Sequence, residues 1–118
     1  MLLAAQILTA LVLVIHVYIF LLETVLFKTR GRRVFGLTAE QAELSSRAML
    51  NQGFYNLFLA AALALGFVLS GPAALALTVF GLVCVAVAGI VGALTVQMRI
   101  LYVQTVPAVA ALVALHLA

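Results

Sequence analysis

His16, Glu23 and a tight group of amides are the residues of this chain whose types and spacing invite chemistry. His16 and Glu23 are seven positions apart, which at 3.6 residues per turn puts them on nearly one helix face, with Thr9 extending the line. An imidazole and a carboxyl so placed suit acid or base work, because burial can tune either group toward neutrality. The stretch NQGFYN, residues 51–56, adds Asn51, Gln52, Tyr55 and Asn56. On a helix these four span an arc of roughly 140°. Such an arc is expected to face protein or water and not lipid tails. Gln97 and Gln104 share another face, and Pro107 leaves the Val103 carbonyl without its usual amide donor.

The elements that must position these groups follow from composition. Of 118 residues, 68% are hydrophobic and 8% charged, against about a quarter charged in an ordinary globular domain. That balance describes a membrane protein. The length suits a single domain, residues 1–118, with room for four spans of about 20 residues each. The +3 charge comes largely from Lys28, Arg30, Arg32 and Arg33, gathered between two apolar runs. Such a block reads as a topology signal facing anionic lipid, whereas nucleic acid needs a broad basic face with stacking groups. Cys84 is alone in an apolar run, so neither a disulfide within the chain nor a cysteine metal cluster is expected. One His with one Glu is a thin ligand set, and His116 is too far from His16 to complete it. The residues point to no metal and name no cofactor.

The apolar runs predict helices over about 2–27, 38–69, 73–97 and 100–118. A charged loop at 28–36, a tight SGP turn at 70–72 and a QMR link at 97–99 join them. Links this short make neighbouring helices antiparallel, giving an all-α bundle of four transmembrane helices. The first run follows no positive residue and is too long for a signal-peptide core, so it is read as a retained span. All six Lys and Arg residues lie in or beside the first and third links. By the positive-inside rule both basic links are cytoplasmic and both termini outside. In LTAEQAEL, residues 37–44, Thr38 and Gln41 have the spacing of a capping box, so the second helix starts near Thr38. Arg47 marks the waterline, its stem snorkelling.

Counting about 1.5 Å per residue from the cytoplasmic helix ends brings Glu23, Asn51, Gln52 and Gln104 to one level. His16, Tyr55 and Asn56 lie slightly deeper. Three helices are thus expected to send polar groups into one zone, the cytoplasmic half of the membrane. Competing readings are interhelical hydrogen bonding and, for Glu23, a salt bridge to Lys28 or Arg47. In helix three, Ala88 with Gly92 and Gly89 with Ala93 have the small-xxx-small spacing of close helix packing, which also suits a homo-oligomer face.

HVYIFLLE, RGRRVFG, NQGFYN followed by FLAA, and QTVPA, in this order, resemble the bacterial membrane family of domain of unknown function 1304. The resemblance spans nearly the whole chain and implies a multi-pass protein of the bacterial inner membrane, with no activity attached. His16, Glu23, Asn51, Gln52, Tyr55, Asn56, Gln104 and Pro107 carry it. The leading functional expectation is an intramembrane polar pocket, lined by the first seven of these, for a lipid-like or small-molecule ligand. The alternatives are a small proton- or cation-coupled transporter working through Glu23, and a membrane-embedded acid/base enzyme using His16 and Glu23.

Overall fold

The computed structural model describes residues 2–117, which are helical nearly throughout, with no strand among them. Three helices are long and apolar enough to cross a bilayer: α1, Leu2–Glu23; α3, Ala39–Val68; and α4, Gly71–Thr95. Between α1 and α3 come a π-helical turn at Phe27–Gly31 and a short α2 at Arg32–Val34. After α4 a second π-helical turn, Leu101–Thr105, leads into α5, Val106–Leu117. This last apolar stretch, Leu101–Leu117, is shorter than the other three.

The first helix was expected to run to about residue 27, but its α-helical part ends at Glu23. From there the hydrogen bonds widen: Leu26 N–H donates to the Leu21 carbonyl at 2.8 Å, and Gly31 N–H to the Leu26 carbonyl at 2.8 Å. Five-residue bonds of this kind make a wider turn than the α-helix, and the chain folds back on the helix it has left. Gly31 sits against that helix. A Cβ there would lie 2.0 Å from the Leu22 carbonyl oxygen.

The expected loop at 28–36 is therefore wound into helical turns. It closes as a Schellman motif, with Leu37 N–H on the Arg32 carbonyl at 2.9 Å and Gly36 N–H on the Arg33 carbonyl at 3.2 Å. Gly36 takes φ +70°, the left-handed conformation that this closure needs. The capping box then opens α3: Thr38 N–H donates to Gln41 Oε1 at 2.9 Å, and Gln41 N–H to Thr38 Oγ1 at 3.1 Å. At the SGP turn, Gly71 at φ +67° and Pro72 already belong to α4. Proline is tolerated there because first-turn N–H groups have no helical acceptor.

The chain forms two compact units, residues 16–58 and the remainder. In the remainder, Val12, Leu63, Leu82, Val85, Ala108 and Ala111 make the buried core, with Leu8, Leu59 and Leu112 packed against it. The small-residue face of α4 is covered by the chain's own next helix. A Cβ on Gly89 would lie 2.1 Å from Thr105 Oγ1 and 2.8 Å from the Thr105 nitrogen, and one on Gly92 would lie 2.7 Å from Ile100 Cγ2. Thr105 Oγ1 donates to the Ala86 carbonyl at 2.9 Å, adding a polar tie between backbones brought this close. The π-helical turn has its cause in Pro107, which cannot donate and whose ring presses on the carbonyl four residues back. Val106 N–H reaches the Leu101 carbonyl instead.

Gly89→Ala is expected to destabilise the protein by about 1–3 kcal/mol, because the new methyl meets backbone that must move. Thermal unfolding in detergent, with Ala88→Ser as the comparison, measures it.

Candidate functional site

The unit of residues 16–58 is organised where α3 passes the end of α1. Gly53 makes this approach possible: a Cβ there would lie 2.6 Å from Thr24 Cγ2, 3.2 Å from Glu23 Cβ and 3.5 Å from the Phe20 carbonyl oxygen. Its lack of a side chain is thus explained by a neighbouring helix. Phe20 and Phe54 pack edge to face beside the crossing, with ring centroids 5.5 Å apart. Thr24 Oγ1 donates to the Phe20 carbonyl at 2.7 Å.

One turn past Gly53, Asn56 faces the same side, and its Nδ2 donates to Glu23 Oε1. Both residues are enclosed, Glu23 at 6% and Asn56 at 5% exposure. A carboxyl sheltered from water needs such a donor, since an unmatched polar group in a low-dielectric interior is costly. His16, two turns back along α1, is fully buried. Glu23 therefore takes its hydrogen bond from an amide. Of the two basic residues in the alternative salt-bridge reading, Lys28 and Arg47, Lys28 is engaged elsewhere: its Nζ pairs with Glu43 Oε2 at 2.9 Å. The π-helical turn carries Lys28 away from the end of α1 toward the first turns of α3.

The polar arc of NQGFYN is split by the fold. Its inner edge, Asn56, is buried, whereas Asn51, Gln52 and Tyr55 are exposed. Arg47, Asn51 and Tyr55, spaced four apart, form an exposed stripe along one side of α3. Tyr55 stacks edge to face on Phe58, centroids 6.1 Å apart. The length of α3 explains how such a stripe is tolerated. Its 30 residues reach about 45 Å, more than the roughly 30 Å of hydrocarbon that a spanning helix must cross, so α3 has length to spare for polar residues.

Gln104 belongs to the other unit, half-buried in the second π-helical turn. Its Cβ would meet a Cβ on Gly89 at 3.0 Å. The structure thus joins Glu23 to Asn56 and ranges Asn51 and Tyr55 along an outer stripe. Among the described residues, no three of His, Cys, Asp and Glu are grouped as metal ligands.

A cleft of about 280 Å³ was not anticipated from the sequence. Thr24, Val25, Phe27 and Lys28 form one wall, and Ser46, Arg47 and Leu50 of α3 the other. A second cleft of about 280 Å³, in the other unit, is lined by apolar residues with Gln6, Thr9 and Thr78 among them. None of the seven expected site residues lines either cleft. The first shows only once residues 24–28 turn back, because Lys28 and Arg47 are 19 positions apart in the chain.

Asn56→Ala is expected to cost about 1–3 kcal/mol, the penalty for stranding a buried partner. Asn51→Ala and Gln52→Ala should stay within about 0.5 kcal/mol, as exposed substitutions do. Unfolding temperatures of the three variants in one detergent distinguish a buried tie from a surface stripe.

No curated protein and no solved structure matches this chain. A family does match, over residues 10–116, a span that takes in α1 from its middle, the basic turns, the Glu23–Asn56 pair and the outer stripe. The chain belongs to the family described as "Protein of unknown function (DUF1304)".

Proposed function

We propose that this chain is a small four-span protein of the bacterial inner membrane, with both termini outside, that binds a lipid-like amphiphile at its cytoplasmic boundary. The observation that carries the reading is the exposed stripe of Arg47, Asn51 and Tyr55 on α3. A helix face that changes within two turns from a cation through an amide to a phenol matches the polarity gradient of an amphiphile at an interface. The buried Glu23–Asn56 pair and the close approach at Gly53 hold that helix against α1, so the stripe sits on rigid support.

Four spans are supported by the helical run of residues 99–117, since about 17 residues are enough to cross. The orientation is supported by the placement of all six Lys and Arg residues in or beside the first and third links. A cysteine-accessibility scan on intact cells and inverted vesicles tests both. Labels at Arg33 and Arg99 positions should react from the cytoplasmic side, and labels at the Ser70 position from outside.

A second reading is favoured by one specific feature, the burial of Glu23 at the end of an apolar helix. An enclosed carboxyl in a span is a recurrent proton or cation site. In that case Glu23 would be the coupling group of a small transporter.

Lipid extracted with the purified protein decides between them. The amphiphile reading expects one lipid class enriched over the bulk membrane, and loss of the enrichment in Asn51→Ala with Tyr55→Ala, at unchanged folding. The transporter reading expects proton or cation flux in liposomes that Glu23→Gln abolishes. An extract identical to the bulk membrane would remove the amphiphile reading, and flux that survives Glu23→Gln would remove the other.

A further inference from the structure

The cleft between the first π-helical turn and α3 has the charge and polarity of a particular ligand class. Two cations flank it, Lys28 and Arg47, with Ser46 and Thr24 beside them and Phe27, Val25 and Leu50 on the apolar side. Lys28 is paired with Glu43 at 2.9 Å, which occupies one of the three donors of an ammonium group. Among the described residues, Arg47 has no carboxylate within ion-pair distance. Lys28 and Arg47 against Glu43 leave one positive charge over the cleft.

The hydroxyls point the same way. Thr24 Oγ1 donates to the Phe20 carbonyl at 2.7 Å and Ser46 Oγ to the Glu43 carbonyl at 3.1 Å. With their protons so used, the hydroxyl oxygens of these two cleft-lining residues are left as acceptors. Beside them Val25 is 79% and Leu50 49% exposed. A soluble anion has no use for that apolar surface, whereas acyl chains do.

We infer that this cleft binds the phosphodiester of an anionic phospholipid whose headgroup carries hydroxyls. The phosphate lies between Arg47 and Lys28, the headgroup hydroxyls donate to Thr24 and Ser46, and the chains run along Val25 and Leu50. The single excess positive charge matches a single phosphodiester charge. A zwitterionic lipid would bring its ammonium toward two cations. The inference rests on the amphiphile reading above and names the ligand class of that same boundary.

The test offers the full-length protein, stripped of lipid in a neutral detergent, phosphatidylglycerol or phosphatidylcholine with the same chains. Bound lipid is counted by native mass spectrometry. Phosphatidylglycerol should be retained about tenfold over phosphatidylcholine, as two interfacial cations allow. Arg47→Gln, and Lys28→Gln with Arg47→Gln, should lower its retention toward that of phosphatidylcholine. Arg30→Gln with Arg33→Gln removes equal charge outside the cleft and should leave the preference intact. Soluble glycerol phosphate at the same concentration should not compete.

Equal retention of the two lipids overturns the assignment while leaving an amphiphile site standing. An equal effect of the Arg30 and Arg33 substitutions overturns it in favour of diffuse charge, and displacement by glycerol phosphate overturns it in favour of a free anion. Retention of neither lipid removes the amphiphile reading as well.

Discussion

The close passage of α3 over the end of α1 at Gly53 is the constraint from which the arrangement of residues 16–58 follows. Without a Cβ at that position the α3 backbone can lie against Glu23 and Thr24. Only then is Asn56 near enough for its amide to meet the Glu23 carboxyl. Hydrogen bonds inside a low-dielectric region are stronger than in water, and their absence is correspondingly costly. Glycine in mid-helix sacrifices roughly 1 kcal/mol relative to alanine. Here the loss is offset by the edge-to-face contact of Phe20 with Phe54 and by a satisfied carboxyl. The polar pair is a tie between helices, and the polar groups with open faces lie elsewhere on α3.

Two π-helical turns give the chain its departures from straight rods. Each has a local cause. At Phe27–Gly31 the chain doubles back, and Gly31 comes to rest on the Leu22 carbonyl, a site with no space for a side chain. At Leu101–Thr105 the approach of Pro107 removes a donor, and the turn widens. The first turn aligns Tyr18 with Arg30, whose Nε donates to the phenol and whose guanidinium lies 5.7 Å from the ring centroid. It also brings Lys28 to Glu43. Basic residues that would otherwise trail from the end of α1 are thereby held along one polar edge.

Much of the exposed surface of the long helices is apolar, with Leu3, Val14, Phe80, Val87 and Leu94 all open. In water this would be a liability, since exposed apolar patches drive association. Against lipid tails it carries no such penalty, and the distribution of polar groups then becomes informative. Arg47 and the exposed amides Asn51 and Gln52 lie in the N-terminal half of α3, while Lys28, Arg30 and Arg33 stand on the turns after α1. The proposed amphiphile site builds on this passage from basic turns to apolar helix surface.

Much of this was legible in the residues themselves. The all-α class, the long apolar helices, the capping box at Thr38 and Gln41 and the family all follow from composition, period and motif order. These are local properties, and local spacing is what a sequence displays directly. Which side of a helix is covered is not local. Asn51, Gln52, Tyr55 and Asn56 form one continuous arc by spacing alone, yet packing buries Asn56 and leaves the other three open. The partner of Glu23 was decided by distance across the crossing at Gly53, where a neutral amide stood nearer than any cation. Lys28 found Glu43 because five-residue hydrogen bonds after Leu21 redirected the chain, a change of turn that side-chain periodicity does not record. The sequence by itself determined that the protein is a set of apolar helices with a basic, polar edge. Only the tertiary structure decided which polar groups are locked together and which stay available, because that depends on where backbones can touch.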